Sequence, residues 1–180
     1  MDSIVKSKLL FILIGDDRTG KTTFQKLLID KICKKGVYGR LPVNLRFDIK
    51  HPEIKRKYQT IFFANRSYQE NKENYGSVDD YFKNDFKSAD IAIISSHLNI
   101  TDIADMLRNG RENFYNVVGV FFRNSIQNDR PRNSQISILD WNERLIIENR
   151  FTEDEQSINK QLENCVENFV IFLANRTSIS

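Results

Sequence analysis

From Gly15 to Thr23 the chain reads GDDRTGKTT. Two glycines five positions apart bracket a polar run, and a lysine and two hydroxyls follow at once. That spacing suits the capture of a phosphate chain. Gly15 and Gly20 permit a backbone that curls with its N–H groups facing inward. Lys21 supplies a formal charge for the outer phosphates, and the Thr22 hydroxyl is a hard oxygen ligand for Mg2+. The run fits G-x-x-x-x-G-K-[ST] in full. On that pattern Gly15, Asp16, Asp17, Arg18, Thr19, Gly20, Lys21, Thr22 and Thr23 are the expected nucleotide contacts, for ATP or another nucleoside triphosphate.

The flanking sequence must hold such a loop in place. KLLFILI ahead of Gly15 is a continuous apolar run and predicts a buried strand. After it, Phe24, Leu27, Leu28 and Ile32 recur at helical spacing, and the segment stops at KKG. Strand, glycine-bearing loop and helix therefore follow in the order the chemistry needs, and the helix start adds unpaired N–H groups and a positive dipole end.

GDDRTGKTT resembles the phosphate loop of the P-loop NTPase superfamily, and within it most closely the nucleoside monophosphate kinases of thymidylate kinase type. Those carry G-x-D-x-x-G-K-T-T, so Asp17 matches their loop aspartate. The resemblance implies ATP, Mg2+ and either hydrolysis or transfer of a phosphoryl group. It also implies an arginine at the acceptor side, in a D/E-R-[YS] sequence. Here Asn65-Arg66-Ser67 stands at that point, with the arginine present and the acid absent. Lys21, Asp17 and Arg66 are the catalytic candidates that follow. Arg108 and Arg111, on the helix after the next strand, are candidates for neutralising the migrating phosphoryl group, with Arg123, Arg130 and Arg132 as rivals.

The metal needs a carboxylate besides Thr22. Asp48 closes the alternating strand LPVNLRFD and is the leading choice; Asp90 begins a strand and so lies at the wrong end. His97 follows the apolar run IAIISS, where ligands gather in open α/β folds, and is open to a second reading as a helix cap. A GTPase reading is disfavoured, because no D-x-x-G follows the loop and NKEN (71–74) has Asn where Asp should read guanine. The alternative to an enzyme is a nucleotide-dependent switch or assembly module, with polar segments 65–77 and 124–135 as the parts that would order. The expected partners are a nucleoside triphosphate and a small acceptor or a protein.

Further strands are predicted at QTIFFANRS, ending at Asn65, and at ADIAIISSH, NVVGVFFRN and ERLIIEN. Helices are predicted from Ser77 with Asp80 as a capping box, from NITDIADMLRNG towards Tyr115, and from Thr152 with Glu155 as a second capping box. YQENKENYGS and SIQNDRPRNSQ read as polar loops. Strands alternating with helices predict a three-layer α/β/α fold with a mainly parallel sheet, as one domain over residues 1–180.

Composition agrees with that class. The 180 residues are 40% hydrophobic and 28% charged, with a net charge of +3. KHPEIKRKY with Arg46 clusters cations, but no aromatic platform accompanies them, so nucleic acid is not the expected partner. Cys33 and Cys165 lie far apart without a CxxC pair, which predicts free thiols. The longest strongly apolar run, LLFILI, is far too short for a bilayer. A cytoplasmic location is the resulting expectation.

Overall fold

The computed structural model describes residues 7–36 and 39–176; the rest of the 1–180 span lies outside the described residues. Strand β1 (Lys8–Ile14) is followed by helix α1 (Lys21–Cys33), β2 (Asn44–Asp48), α2 (Pro52–Lys55) and β3 (Thr60–Ser67). A 3-10 turn (Tyr68–Asn71), α3 (Lys72–Tyr75) and α4 (Val78–Asn84) lead to β4 (Ile91–Ser96). The chain ends with α5 (Ile100–Glu112), β5 (Tyr115–Phe122), α6 (Arg123–Asn128), α7 (Arg130–Ser137), β6 (Glu143–Ile147) and α8 (Glu155–Asn175).

The six strands form one sheet in the order β2-β3-β4-β1-β5-β6. All pairings are parallel except β2 with β3. β1 is central, and its side chains alternate between two faces. Leu9, Phe11 and Leu13 join one apolar core with Phe24 and Leu28 of α1 and Val166 and Phe169 of α8. Leu10, Ile12 and Ile14 join the other, with Tyr81 of α4, Met106 of α5 and Ile136 of α7. Helices thus cover both faces of a mostly parallel sheet, and full burial of β1 explains its unbroken apolar sequence.

Several boundaries differ from expectation. Tyr68–Tyr75 is a 3-10 turn running into a short helix rather than an open loop. Its Tyr68 is buried and stacks on Tyr75, with ring centroids 6.1 Å apart. SIQNDRPRNSQ is helical as well: Asp129 accepts from Arg132 N, Pro131 sits in the first turn, and buried Asn133 donates to the carbonyls of Ser125 and Asp129. The two segments proposed as order–disorder elements are therefore largely built from helix and turn. α5 stops at Glu112, and Tyr115 already belongs to β5. Thr152 does not cap the last helix; Asp154 does, accepting from Gln156 N and Ser157 N. α1 ends at Lys34, which takes the left-handed conformation (φ 56°) ahead of the expected Gly36. The Ser77–Asp80 capping box is present with both bonds made.

α5 approaches β1 closely because Gly110 has no side chain. A Cβ there would lie 2.6 Å from Leu10 Cδ2 and 2.8 Å from Val117 Cγ2. Gly110→Val is expected to lower stability by about 1–3 kcal/mol through overpacking. Urea unfolding measures this, and an unchanged midpoint would contradict the close approach.

Candidate functional site

The five parallel strands all point their carboxyl ends at one edge of the sheet. β1 sends its chain across to the β3 side, whereas its neighbour β5 sends its chain outward to β6. The crevice between strands that diverge in this way is where ligands sit in open α/β sheets. The loop after β1, residues 15–20, occupies that crevice.

Two left-handed residues curl the loop: Arg18 at φ 60° and Gly20 at φ 96°. At Gly20 a Cβ would also press on Leu162 Cδ1 at 3.2 Å, so glycine is needed both for conformation and for room. The first main-chain bond of α1 runs from Phe24 N to Gly20 O, and Gly20 contributes no side-chain cap. Among the described residues, the N–H groups of Gly20, Lys21, Thr22 and Thr23 find no acceptor. They are the orphan donors of a helix start.

Neighbouring elements tether the loop from every side. Gly15 N donates to Ser96 O at 3.1 Å, and Leu98 N donates to Asp16 Oδ1 at 3.1 Å. Arg132 of α7 donates to Asp16 Oδ2 at 3.1 Å. Asn149, just past β6, donates through Nδ2 to Thr19 O at 2.8 Å, and Asn124 of α6 does so at 3.3 Å. The side chain of Asp16 is thus spent on holding the loop, which leaves only its main chain to meet a ligand.

The loop is not plugged. A cavity of about 270 Å³ remains, lined by residues 17–23 and by Asn65, Ser67 and Glu70. Lys21 is buried, and its ammonium folds back to donate to Gly15 O, to Asp16 O at 2.9 Å and to Thr19 Oγ1 at 3.4 Å. Burial pushes its pKa down to about 8, against the opposing pull of Glu70, Asp17 and Asp16. The buried ammonium thus makes three bonds to the loop's own oxygens and stands beside the unmet amides of the helix start.

Register in β3 slips between Phe63 and Ser67, a bulge of the kind that redirects side chains beside sites. Asn65 and Ser67 point into the cavity rim from it. Both are buried (8% and 1% exposed), and Asn65 Oδ1 and Ser67 Oγ meet no partner. Asp17 Oδ1, Glu70 Oε1 and His97 Nε2 lie within 4.8 Å of one another on the same side. His97 Nε2 is 3.3 Å from Asp17 and 3.4 Å from Glu70 without a hydrogen bond to either. His97 does not cap α5; Asn99 does, accepting from Asp102 N.

These groups fit a hard divalent cation. Thr22, Asp17 and Glu70 offer oxygen donors around one cavity. Asp48 does not fit. β2 runs antiparallel, so its last residue pairs with Thr60 at the start of β3, at the opposite edge of the sheet from Thr22. Arg108 and Arg111 are displaced for a related reason. α5 leaves the carboxyl edge at Ile100, and eight residues of helix carry Arg108 about 12 Å along the axis. There Arg108 binds Asp79 and Asp105, and Arg111 binds Asp140. Arg123 pairs with Glu148. Of the arginines considered, Arg132 reaches the loop, and Arg66 lines a groove of about 350 Å³ beside it with Thr22, Lys26, Arg40 and Glu70.

Glu70, Asn124 and Asn149 were not singled out from the sequence. The two asparagines carried a signal: each stands two residues beyond a strand end, in Phe122-Arg123-Asn124 and Ile147-Glu148-Asn149. Glu70 carried none, lying in a run of polar residues. No protein-family model matches the chain, and a search of curated proteins finds no match.

A polyanion at Lys21 restores the proton that burial disfavours. Affinity for inorganic tripolyphosphate is therefore expected to be full below pH 8 and to fall as pH rises, by up to about tenfold per unit to pH 10. Calorimetry at pH 8.5 in buffers of different ionisation heat should register proton uptake. Flat affinity without uptake would contradict the described setting of Lys21.

Proposed function

We propose that the chain binds the polyphosphate of a nucleoside triphosphate with Mg2+ at the Gly15–Thr22 loop and passes its terminal phosphoryl group to an oxygen nucleophile. One observation carries the reading: unmet main-chain N–H groups from Gly20 to Thr23 and the buried Lys21 ammonium border one open cavity. Amides and a lysine so arranged are matched to phosphate oxygens.

The residues divide the task. The loop amides and Lys21 hold the phosphates and offset the charge that grows on them. Thr22 would hold Mg2+ together with Asp17, and the ion would supply charge neutralisation. Glu70, on the rim, accepts the proton of the attacking hydroxyl or water as its oxygen bonds to phosphorus and the bond to the leaving diphosphate breaks. Arg132 and Asn149 keep the loop curled while this happens. Much of the catalysis in this account is positioning.

A second reading, transfer to an anionic acceptor, is favoured by the groove beyond Glu70. Lys26, Arg40 and Arg66 line it, and Arg66 and Arg40 have no ion-pair partner among the described residues. A phosphate- or carboxylate-bearing acceptor placed there would face Glu70 and the end of the polyphosphate. Glu70 also supplies the acid that Asn65-Arg66-Ser67 lacks.

Lys21→Ala should abolish triphosphate binding with the circular dichroism spectrum unchanged; equal affinity in the variant would defeat the proposal. Glu70→Gln should bind the nucleotide normally and turn over about 10²–10⁴-fold more slowly. Labelled ATP incubated alone and with a panel of nucleosides and nucleoside monophosphates distinguishes the two readings. Free phosphate alone supports hydrolysis, and a labelled acceptor supports transfer.

A further inference from the structure

β6 is the outermost strand on its side of the sheet, so one of its edges is unpaired among the described residues. Asn142 N donates to Val117 O, and β6 then follows β5 in parallel register from Glu143 to Ile147. The main-chain groups of successive residues turn to alternate edges of a strand. Arg144 and Ile146 therefore bond to β5, while Glu143, Leu145 and Ile147 turn their N–H and C=O groups outward. Ile147 O already accepts from Asn149 N and keeps a second lone pair.

Among the described residues no helix closes this edge. Leu145 and Ile147 face α8, but a groove of about 190 Å³ stays open above them, bounded by Cys165, Phe169 and Phe172. On the other face Ile146 is 49% exposed. Arg144, on that same face, donates to the carbonyls of Ser137 and Leu139, which flank the exposed Ile138. Those bonds fix the guanidinium at the edge and leave its Nη1 hydrogens without an acceptor among the described residues. Glu148 shares this face, bound by Arg123 yet still about half exposed. An open edge with an isoleucine at its centre and opposite charges two residues to either side is a template for another strand.

We propose that β6 pairs antiparallel with β6 of a second copy of this chain, joining two six-stranded sheets into one. The charges choose the register. Outward main-chain groups must meet one another, so the two-fold axis passes through a residue of β6 rather than between two. An axis at Arg144 sets that arginine against itself, and an axis at Ile147 sets it against Arg150. An axis at Leu145 sets Arg144 against Ile146, with no carboxylate opposite. At Ile146 the axis sets Arg144 against Glu148 twice and Ile146 against Ile146. Leu145 and Ile147 then exchange main-chain bonds in each half. Opposite charges facing across a strand pair stabilise it, and like charges destabilise it. The contact is small, which places the dimer among reversible, weak associations.

Sedimentation equilibrium of the full chain across the micromolar range is expected to show a reversible monomer–dimer equilibrium. Amide exchange at Leu145 and Ile147 should slow as concentration rises, while Arg144 and Ile146, bonded to β5 in either state, exchange alike throughout. Ile146→Lys is expected to weaken dimerisation by about tenfold or more with an unchanged circular dichroism spectrum, since the side chain is half exposed in the single chain. Arg144→Glu and Glu148→Arg should each weaken it, and the two together should restore it. A chain that stays monomeric to about 1 mM overturns the proposal. A dimer that leaves exchange at Leu145 and Ile147 unchanged uses another surface and overturns it too. A double variant that associates no more tightly than either single one overturns the register centred on Ile146.

Discussion

The helix start behind the Gly15–Gly20 loop carries main-chain donors that no protein group satisfies, beside a buried ammonium held by the loop's own oxygens, yet the loop must stay curled. Arg18 at φ 60° occupies a region that costs a non-glycine residue about 1–2 kcal/mol. Five separate elements hold the loop there: the end of β4 through Ser96 O, the following turn through Leu98 N, α7 through Arg132, α6 through Asn124, and the segment after β6 through Asn149. The loop is therefore preorganised by its surroundings more than by its own bonds. An anion entering it meets donors already in position, which is the condition for strong electrostatic stabilisation.

Sheet topology makes this convergence possible. β1 lies between β4 and β5, and every parallel neighbour ends near the same loop. Gln25 of α1 locks the helix to that edge, donating to Ala64 O at 3.1 Å and to Ser95 Oγ at 2.8 Å. At the bulge in β3, Asn65 lines both the loop cavity and the cationic groove beside it, and Arg66 lines the groove. A single edge thus carries the curled loop with its unmet amides, the Glu70 carboxylate and cavities on either side.

The strand–loop–helix core was readable because local patterns encode it. Continuous apolar residues marked β1, helical spacing marked α1, and Ser77-x-x-Asp80 marked the start of α4. Strand direction was not readable, since an alternating pattern has the same period whichever way the strand runs, and Asp48 consequently stands at the opposite edge. Arg108 and Arg111 illustrate another gap: position after a strand end does not reveal how far a helix then travels. α6 and α7 were hidden because their helicity depends on Asn133 and Asp129 binding nearby backbone, not on an apolar stripe. Glu70 entered the site through a 3-10 turn that polar composition did not announce. For Asp48 and the two arginines, what remained hidden was tertiary; for α6, α7 and Glu70 it was local side-chain and turn geometry that composition does not display.

The most direct measurement is an amide proton–nitrogen correlation spectrum of the labelled protein, titrated with Mg2+ and ATP. The account predicts that the N–H resonances of Gly20, Lys21 and Thr22 move farthest downfield, as bonds to phosphate oxygens form. Saturating nucleotide that leaves those three resonances in place, while others move, would contradict it.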